Sequence, residues 1–325
     1  MMKTAVTGGT GFIGSHLVKK LLERNRHVVV VADFTRLGTE NLEDLGINLK
    51  DIEIRKADLR EYNQAQVALE GIDTVFHLAA VVGNLQFLHG TETAELVTLQ
   101  RNLSIDTNVF RVCQEKGVKR LLYASSCAVY PMERQYGHEA VFVESDFKAS
   151  NPDGGYGWSK LLGEMQLGWM KGVEIGIARI YSAYGQNEPI NEGRAHAIGD
   201  LTRKIILDKH GEIIVYGDGT QSRDFLYVSD CADAFLRLEE KATNPPIIVN
   251  IGSGKPVSIG SVTKKLVAIS GKPIKIRYDS SHPTGPISRT ADITYAKNIL
   301  GWNPTMSIDD GLKMVFSWAK SKLGC

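Results

Sequence analysis

The feature that most constrains this chain is a glycine-rich turn close to its start. The turn lies between an apolar run, Lys3–Thr7, and an amphipathic stretch, Phe12–Arg24. In such a turn the first glycine permits a tight bend, the second lets the backbone approach a diphosphate, and the third lets the helix pack closely on the strand. Free N–H groups at the helix N-terminus then attract the phosphates. The sequence therefore predicts a dinucleotide site that includes Gly8, Gly11, Phe12, Ile13 and Gly14.

The first half of the chain alternates short apolar runs with amphipathic stretches, which is typical of a parallel sheet with crossover helices. Several runs are apolar on both faces, as buried parallel strands are. The predicted strands are Lys3–Thr7, His27–Ala32, Ile52–Lys56, Thr74–Leu78, Arg120–Ala124 and Gly176–Ile180. The predicted helices are Phe12–Arg24, Tyr62–Leu69, Glu95–Glu115 and Tyr156–Met170.

The pattern changes after residue 180, where loops lengthen and strands shorten. The predicted strands are Ile213–Tyr216, Ile247–Ile251 and Ile274–Arg277, and the predicted helices are His196–Leu207, Val228–Glu239, Ser261–Ile269 and Ile308–Lys320. We expect an α/β protein with a Rossmann-type doubly wound parallel sheet over residues 1–178. A smaller C-terminal α/β substrate domain should cover residues 179–325, with segments exchanged between the two. Ligands of open α/β sheets bind at the carboxyl edge of the strands.

Composition excludes several classes of protein. A formal net charge of +1 does not favour nucleic-acid binding through bulk charge. The longest strongly apolar stretch, Val28–Ala32, is far too short to cross a bilayer. The four cysteines, Cys113, Cys127, Cys231 and Cys325, have no disulfide or metal spacing. We expect a cytoplasmic enzyme with no metal, nucleic-acid or membrane partner.

The choice of dinucleotide depends on the end of the second predicted strand. Asp33 lies there, and its carboxylate can accept hydrogen bonds from both ribose hydroxyls of NAD while repelling a 2′-phosphate. Arg36 follows three residues later and could accept that phosphate, so NADP stays open. Asp58 and Leu59, after the third strand, should lie near the adenine. The prediction is NAD.

A tyrosine and a lysine lie one helical turn apart, at Tyr156 and Lys160. A nearby ammonium favours the phenolate, which can then take a proton from a substrate hydroxyl. Ser125 and Ser126 follow the strand Arg120–Ala124, at the same edge of the sheet. A serine hydroxyl there can hydrogen-bond the reacting oxygen, so Ser126, Tyr156 and Lys160 are predicted to be catalytic.

Together these features resemble the extended short-chain dehydrogenase/reductase family. Four further segments carry the resemblance: His77-Leu78-Ala79-Ala80, Arg179-Ile180-Tyr181-Ser182-Ala183-Tyr184-Gly185, Tyr216-Gly217-Asp218-Gly219-Thr220-Gln221-Ser222-Arg223-Asp224-Phe225 and Gly301-Trp302-Asn303-Pro304. The resemblance covers nearly the whole chain. It implies NAD as cofactor, a nucleotide sugar as substrate, and a homodimer formed through the helices near 95–115 and 156–170.

The resemblance also implies site residues. NAD contacts are implied for Leu78, Ala79, Ala80, Asn102, Ser125, Tyr156 and Lys160. Substrate contacts are implied for Gly83, Ser126, Cys127, Ser182, Arg194, His196, Arg223 and Arg289. Arginine forks match phosphate oxygens, although a solvated surface charge is the alternative for each arginine. Ser182 replaces the asparagine that the family usually carries.

Two segments, at 79–87 and 193–198, look like those of GDP-mannose 3,5-epimerases and GDP-fucose synthases. Those relatives use a cysteine and a basic residue on opposite faces of the sugar ring. His196 stands at the basic position, but the cysteine aligns with Ala128, one residue after Cys127. On an extended segment that shift turns a side chain to the opposite face. An inert thiol and a helix-start histidine therefore remain open alternatives.

The sequence predicts an NAD-dependent nucleotide-sugar epimerase that acts through a transient 4-keto sugar, with simple 4-epimerisation favoured. The alternatives are a net dehydrogenase or 4-keto reductase, a C3/C5 epimerase using Cys127 and His196, and a catalytically silent NAD-binding sensor. A 4,6-dehydratase is disfavoured, because such enzymes carry an Asp-Glu pair where this chain has Cys127-Ala128.

Overall fold

The computed structural model describes residues 2–35, 38–84, 87–88, 90–136, 140–149, 151–191, 195–282 and 284–325. Two residues predicted to bind ligands, Arg36 and Arg194, lie outside these ranges, as do Leu85, Gln86 and Gly193 of the two segments likened to epimerases. Within the described ranges, no helix combines the length and apolar character that a membrane span requires.

Seven parallel strands form the central sheet. They are β1 (Lys3–Thr7), β2 (His27–Ala32), β3 (Glu53–Lys56), β4 (Thr74–His77), β5 (Arg120–Ser126), β7 (Glu174–Ile180) and β11 (Ile247–Ile251). Their order is β11-β7-β5-β4-β1-β2-β3. Strand order reverses between β1 and β4, so the connections that leave these neighbours run in opposite directions and open a crevice at their carboxyl ends. The predicted fold class is confirmed.

Helices cover both faces of this sheet. They are α1 (Phe12–Glu23), α2 (Glu40–Asp44), α3 (Tyr62–Ala68), α4 (Ala94–Glu115), α5 (Gly154–Trp169), α6 (Ala197–Leu207), α7 (Val228–Glu239), α8 (Ile259–Ser270), α9 (Thr294–Leu300) and α10 (Ile308–Lys322). One face packs against α1 and α7, and the other against α3, α4 and α5. Successive strand residues enter opposite cores: Val28 and Val30 enter one, Val29 and Val31 the other.

The second half of the chain contributes to both layers. β11 and α7 belong to the central sheet and its covering helices, while α6, α8 and α10 enclose a separate apolar core. The predicted boundary at residue 178 falls within β7, which pairs with β11 along its length. The division into two domains with exchanged segments remains a proposal.

Short strands escaped the prediction because their partners are distant in sequence. They are β6 (Val141–Phe142), β8 (Ser182–Tyr184), β10 (Ser222–Tyr227), β12 (Pro256–Ser258) and β14 (Thr290–Ala291). The longest of them, β10, pairs with β8 and β12, and β14 pairs with β6. β9 (Glu212–Tyr216) pairs with β13 (Lys275–Asp279), close to the predicted bounds. Strands of two or three residues have too little periodicity to be recognised. The six-residue β10 was missed because its three polar residues precede three apolar ones, without the alternation typical of a strand.

The helix α5 packs closely on α4 and β5 through a glycine. A Cβ atom on Gly163 would lie 2.4 Å from the hydroxyl oxygen of Tyr123 and 3.1 Å from Oδ2 of Asp106. Gly168, on the same helix, is exposed and would meet nothing within 4 Å. The two glycines therefore form a matched pair for a test of this packing.

We predict opposite effects for alanine at these positions. Gly163→Ala should lower the free energy of unfolding by roughly 1–3 kcal/mol, because the fully buried Tyr123 has no room to move. Gly168→Ala should raise it by roughly 0.5–1 kcal/mol, because alanine has the higher helix propensity. Denaturant unfolding of both variants measures this. Equal stability of the two variants would contradict the close packing.

Candidate active site

A deep cleft follows the carboxyl edge of the central sheet and is closed on its far side by residues of the second half. Its volume is about 2060 Å³, larger than the roughly 300–1,000 Å³ of most single-ligand pockets, so it can hold two ligands side by side. Every described residue predicted for the site lines it except Asn102. Within the described ranges, no cluster of His, Cys, Asp and Glu side chains could hold a metal ion.

The glycine turn forms one end of the cleft. Gly8 has a φ of +69°, which favours glycine, and a Cβ there would lie only 3.0 Å from backbone atoms of Ala79. A Cβ on Gly14 would lie 2.2 Å from the carbonyl oxygen of Gly8. Gly11 precedes α1 and provides no side-chain cap, so the first N–H groups of that helix point into the cleft. This cradle fits a dinucleotide diphosphate.

The adenosine end of this cradle is acidic. Asp33 is exposed to the cleft, and its carboxylate accepts hydrogen bonds from the backbone N–H and hydroxyl of Thr35 at 3.0 and 2.9 Å. Asp58 forms an ion pair of 2.5 Å with Arg60, whose hydrogen bonds lower the pKa of the Asp58 carboxyl. Leu59 is buried beside them. A carboxylate at Asp33 suits ribose hydroxyls and disfavours a phosphate.

The backbone after β4 is held by an amide that the sequence assigned to the cofactor. Asn102 is fully buried, accepts a hydrogen bond from the N–H of Val81 at 2.7 Å and donates to the carbonyl oxygen of Val81 at 3.1 Å. It also donates to the hydroxyl of Ser159. Because it does not line the cleft, its effect on a cofactor would pass through Leu78–Val81 rather than through direct contact.

The predicted catalytic side chains meet in the middle of the cleft. Tyr156 hydrogen-bonds the side chain of Ser126, and the hydroxyl of Ser126 accepts the N–H of Ala128 at 3.1 Å. Burial raises the pKa of Tyr156 above its ordinary value, and this hydrogen bond opposes the shift only in part. The phenol is therefore neutral until a positive charge is brought beside it. Lys160 is only 2% exposed, and its side chain also reaches the cleft.

The hydroxyl of Ser125 is already hydrogen-bonded to another side chain. It donates to Oε1 of Glu164 at 2.5 Å, and Glu164 is paired with the buried Arg179 at 2.6 Å. Ser125 lines the cleft, but its hydroxyl is committed to this ion pair beneath the surface. A contact between the cofactor and the other atoms of Ser125 remains a prediction.

A short 3₁₀ turn changes how the cysteine is presented. The turn spans Cys127–Val129, and Ser126 caps it, so the chain is not extended here. Cys127 and Ala128 consequently both line the cleft. Because the segment is not extended, the one-residue shift does not by itself turn Cys127 away from the cleft, and its catalytic role stays a prediction. Sγ of Cys127 lies 3.5 Å from a guanidinium nitrogen of Arg289.

Two arginines line the same part of the cleft. Arg289 forms an ion pair of 2.8 Å with Asp153 and donates to Gln135. Arg223 donates to three backbone carbonyls, those of Ser222, Thr284 and Pro286, at 2.7–2.9 Å. Burial, followed by repulsion from Arg289, lowers the pKa of Arg223 to about 10, so it stays charged. Two neighbouring guanidinium groups suit a diphosphate.

His196 and the small residues Gly83 and Ser182 also line the cleft. His196 directly precedes α6 and is exposed on the cleft surface. Desolvation lowers the pKa of His196, which favours the neutral imidazole. A neutral imidazole can accept a proton.

Sequence reasoning missed Glu188, a residue of the cleft wall. It is 2% exposed, and among the described residues neither carboxyl oxygen has a hydrogen-bond partner. Burial raises its pKa to about 8, and the nearby backbone of Gly185 and Gly199 opposes this only in part. A single glutamate in the segment between β8 and α6 has no sequence pattern that would distinguish it from a surface residue.

Known proteins match this chain over nearly all its length. The NAD dependent epimerase/dehydratase family matches residues 4–252. GDP-mannose 3,5-epimerase 1 of Oryza sativa subsp. japonica is 30% identical over 99% of this chain and 82% of its own length.

Two solved structures share the fold. UDP-glucose 4-epimerase of Thermotoga maritima, solved with UDP-glucose, is 26% identical with a TM-score of 0.84, covering 99% of this chain and 100% of that one. UDP-glucuronic acid 4-epimerase of Bacillus cereus, solved with UDP-glucuronic acid and NAD, is 28% identical with a TM-score of 0.84 and the same coverage.

The buried carboxyl of Glu188 makes the free energy of unfolding depend on pH. Its pKa is about 8 when folded against an ordinary value of 4.5. A raised carboxyl pKa means that only the unfolded chain releases this proton between those values. Stability is therefore complete below about pH 4.5 and falls as pH rises towards 8.

We predict that Glu188→Gln removes this loss. Between about pH 5 and about pH 9, the wild type should lose on the order of a few kcal/mol more unfolding free energy than the variant. Urea unfolding at both pH values measures the difference, with Glu23→Gln, an exposed glutamate at the end of α1, as control. A difference equal to that of the control would contradict the assignment.

Proposed function

Because the chain belongs to the NAD dependent epimerase/dehydratase family, we propose that it is a nucleotide-sugar epimerase that acts through a transient 4-keto sugar. The observation that carries the proposal is the group formed by Ser126, Tyr156 and Lys160, which faces the same cleft as the glycine cradle. One ligand in the cradle and a second beside this group account for the volume of the cleft.

The cradle fits NAD. Its glycines leave room for a diphosphate at the N-terminus of α1, and Asp33 is suited to the two hydroxyls of an unphosphorylated ribose. When bound, NAD supplies the chemistry of accepting a hydride from a sugar carbon and returning it. Asp33 favours NAD over NADP, since a 2′-phosphate there would meet a carboxylate.

The chain's own residues handle the proton. Tyr156 takes it from the hydroxyl on carbon 4 as the carbon is oxidised, and gives it back when the ketone is reduced. Ser126 hydrogen-bonds the same oxygen and holds it beside the phenol. Burial raises the pKa of Tyr156, and the role proposed for the Lys160 ammonium is to lower it, so that the phenolate becomes accessible.

A nucleotide diphosphate suits the far part of the cleft. Arg223 and Arg289 supply two charged forks there, each fixed by contacts to neighbouring groups. An anchored diphosphate leaves the sugar free to turn, so that either face of carbon 4 can meet the cofactor. Relatives named as UDP- and GDP-sugar epimerases act on molecules with this group.

Inversion at carbon 3 or carbon 5 is a second candidate reaction. A ketone at carbon 4 acidifies the protons on both neighbouring carbons, and inversion then needs an acid and a base on opposite faces of the ring. Cys127 is favoured for one role because its thiol faces the cleft beside Arg289, and His196 for the other because its imidazole is neutral. The relative from rice is named as such an epimerase.

Two copies of the chain should associate through α4 and α5. These packed helices carry exposed apolar side chains on their outer surface, namely Leu96, Trp158, Met165 and Trp169. Exposed aromatic residues grouped in this way mark protein interfaces more often than solvent-facing surfaces. We propose a homodimer with a four-helix contact.

Tyr156→Phe tests the proposed reaction. Against a panel of GDP-, UDP-, dTDP- and CDP-hexoses, the variant should bind its sugar nucleotide as the wild type does, measured by calorimetry. Its turnover should fall by at least ~100-fold, because the acid/base group is lost. A variant with nearly normal turnover would remove Tyr156 from the reaction, and a wild type with no turnover on any member would overturn the proposed substrate class.

The same panel in heavy water separates the two reactions. A simple 4-epimerase should incorporate no deuterium into the sugar ring, and Cys127→Ala should then have little effect. A C3/C5 epimerase should incorporate deuterium at the inverted carbon. In that case Cys127→Ala and His196→Asn should each abolish uptake while leaving the absorbance change of transient hydride transfer intact. Mass spectrometry and proton NMR of the recovered sugar measure the outcome.

A further inference from the structure

A buried carboxylate lies behind the proposed catalytic residues, outside the cleft. Asp106, on α4, has no exposed surface. Its Oδ2 accepts a hydrogen bond from the hydroxyl of Tyr123 at 2.6 Å, and its Oδ1 lies 3.0 Å from Nε2 of His77. A buried carboxylate is costly unless its charge is matched, so the charge that matches Asp106 has to be identified.

His77 does not supply that charge. Its Nδ1 lies 2.7 Å from the hydroxyl oxygen of Thr7, which already accepts the N–H groups of Leu78 and Ala79. The Thr7 hydroxyl therefore donates to Nδ1, and the proton on Nε2 is donated to Asp106. Burial lowers the pKa of His77, and the imidazole is neutral in this network.

Lys160 brings a cation to Tyr123, the same side chain that hydrogen-bonds Asp106. Its ammonium lies 4.6 Å from the centre of the Tyr123 ring, on the face of that ring. The ring therefore contacts Lys160 with its face and Asp106 with its hydroxyl. Gly163 lies three residues after Lys160 on α5. Because a Cβ at this position would clash with Tyr123 and Asp106, the glycine allows α5 to approach these two side chains.

The other carboxylate near Lys160 is already matched. Glu164 receives two hydrogen bonds from Arg179, at 2.9 and 2.6 Å, and a third from Ser125. That pair is neutral overall. Among the described residues this leaves Asp106 as an anion and Lys160 as a cation, joined through the Tyr123 ring.

We propose that Asp106 is a positioning residue of the proposed active site, whose charge keeps the buried Lys160 ammonium protonated. This inference rests on the proposed function only for the catalytic role of Lys160. The pairing of the two charges does not depend on the substrate. Asp106 does not line the cleft, so it acts through Lys160 and the Tyr123 ring.

The pKa shifts of Lys160 and Asp106 agree with this pairing of charges. Burial lowers the pKa of Lys160, and the charges of Asp106 and then Glu164 oppose that shift. Burial would raise the pKa of Asp106, but the charge of Lys160 and the hydrogen bonds from His77 and Tyr123 outweigh it, and the net shift is downward. Tyr156, from the same helix as Lys160, is a further titratable group of this region.

The test measures Lys160 directly in the NAD-saturated protein. Lysine labelled with ¹³C at Cε reports its own ionisation by NMR, and Lys160→Arg assigns the signal. Asp106→Asn, which preserves shape and removes charge, should lower the pKa of Lys160 by at least about 1, because the anion that opposes desolvation is lost. Tyr123→Phe, which keeps both the ring and the charge of Asp106, should change it by much less.

Two outcomes would overturn the proposal. One is an unchanged Lys160 pKa in a folded Asp106→Asn variant. The other needs no variant. If Lys160 of the wild type is already deprotonated at about pH 7, the charge of Asp106 does not keep it protonated. Because neither measurement uses a sugar nucleotide, both stand even if the proposed reaction is wrong.

Turnover gives a second readout once a substrate is identified. Asp106→Asn should move the alkaline limb of the kcat profile to lower pH, because Lys160 loses its proton earlier. KM should stay unchanged, since Asp106 does not reach the cleft. A loss of kcat equal at all pH values would assign Asp106 a merely structural role and contradict the proposal.

Discussion

The parallel pairing of β1 with β4 is the constraint on which the site depends. Its register sets Thr7 beside His77, and the Thr7 hydroxyl accepts the two N–H groups that follow β4. The glycine turn after β1 is thereby held against Ala79, where a Cβ on Gly8 would lie only 3.0 Å from backbone atoms. Because the chain leaves β1 and β4 in opposite directions, this contact opens the cleft rather than closing it. The glycine cradle and the entrance to the catalytic region therefore both result from the pairing of β1 with β4.

The second requirement is that α5 packs closely on α4 and on the turn after β5. A Cβ on Gly155 would lie 2.1 Å from the carbonyl oxygen of Glu95, and one on Gly157 would lie 2.4 Å from that of Ala128. Glycines on this helix thus bring Tyr156 and Lys160 within reach of β5 and the turn after it. Such close packing excludes water and raises the energetic importance of each buried charge. The matched pairs, Glu164 with Arg179 and Asp106 with Lys160, follow from that exclusion.

Much of the cleft could be anticipated because its residues lie at strand ends. In a parallel sheet all carboxyl ends meet at one edge, so Gly8, Asp33, Ala79 and Ser126 had to come together once the strands were recognised. The geometry at Cys127 could not be anticipated. Its orientation depends on a 3₁₀ turn that Ser126 caps, and three residues carry no periodicity. The burial of Glu188 could not be anticipated either, since it depends on how the segment between β8 and α6 packs after folding.

The sequence by itself determined the fold class, the glycine cradle and the one-turn spacing of Tyr156 and Lys160, because each follows from local periodicity or from backbone freedom at a fixed position. Tertiary structure alone decided which charges are matched. Asp106 is 54 residues from Lys160, and only the packing of α4 on α5, with Tyr123 between them, relates the two. The physical reason is that desolvation and Coulomb interactions depend on distance and burial in three dimensions, which have no period along the chain.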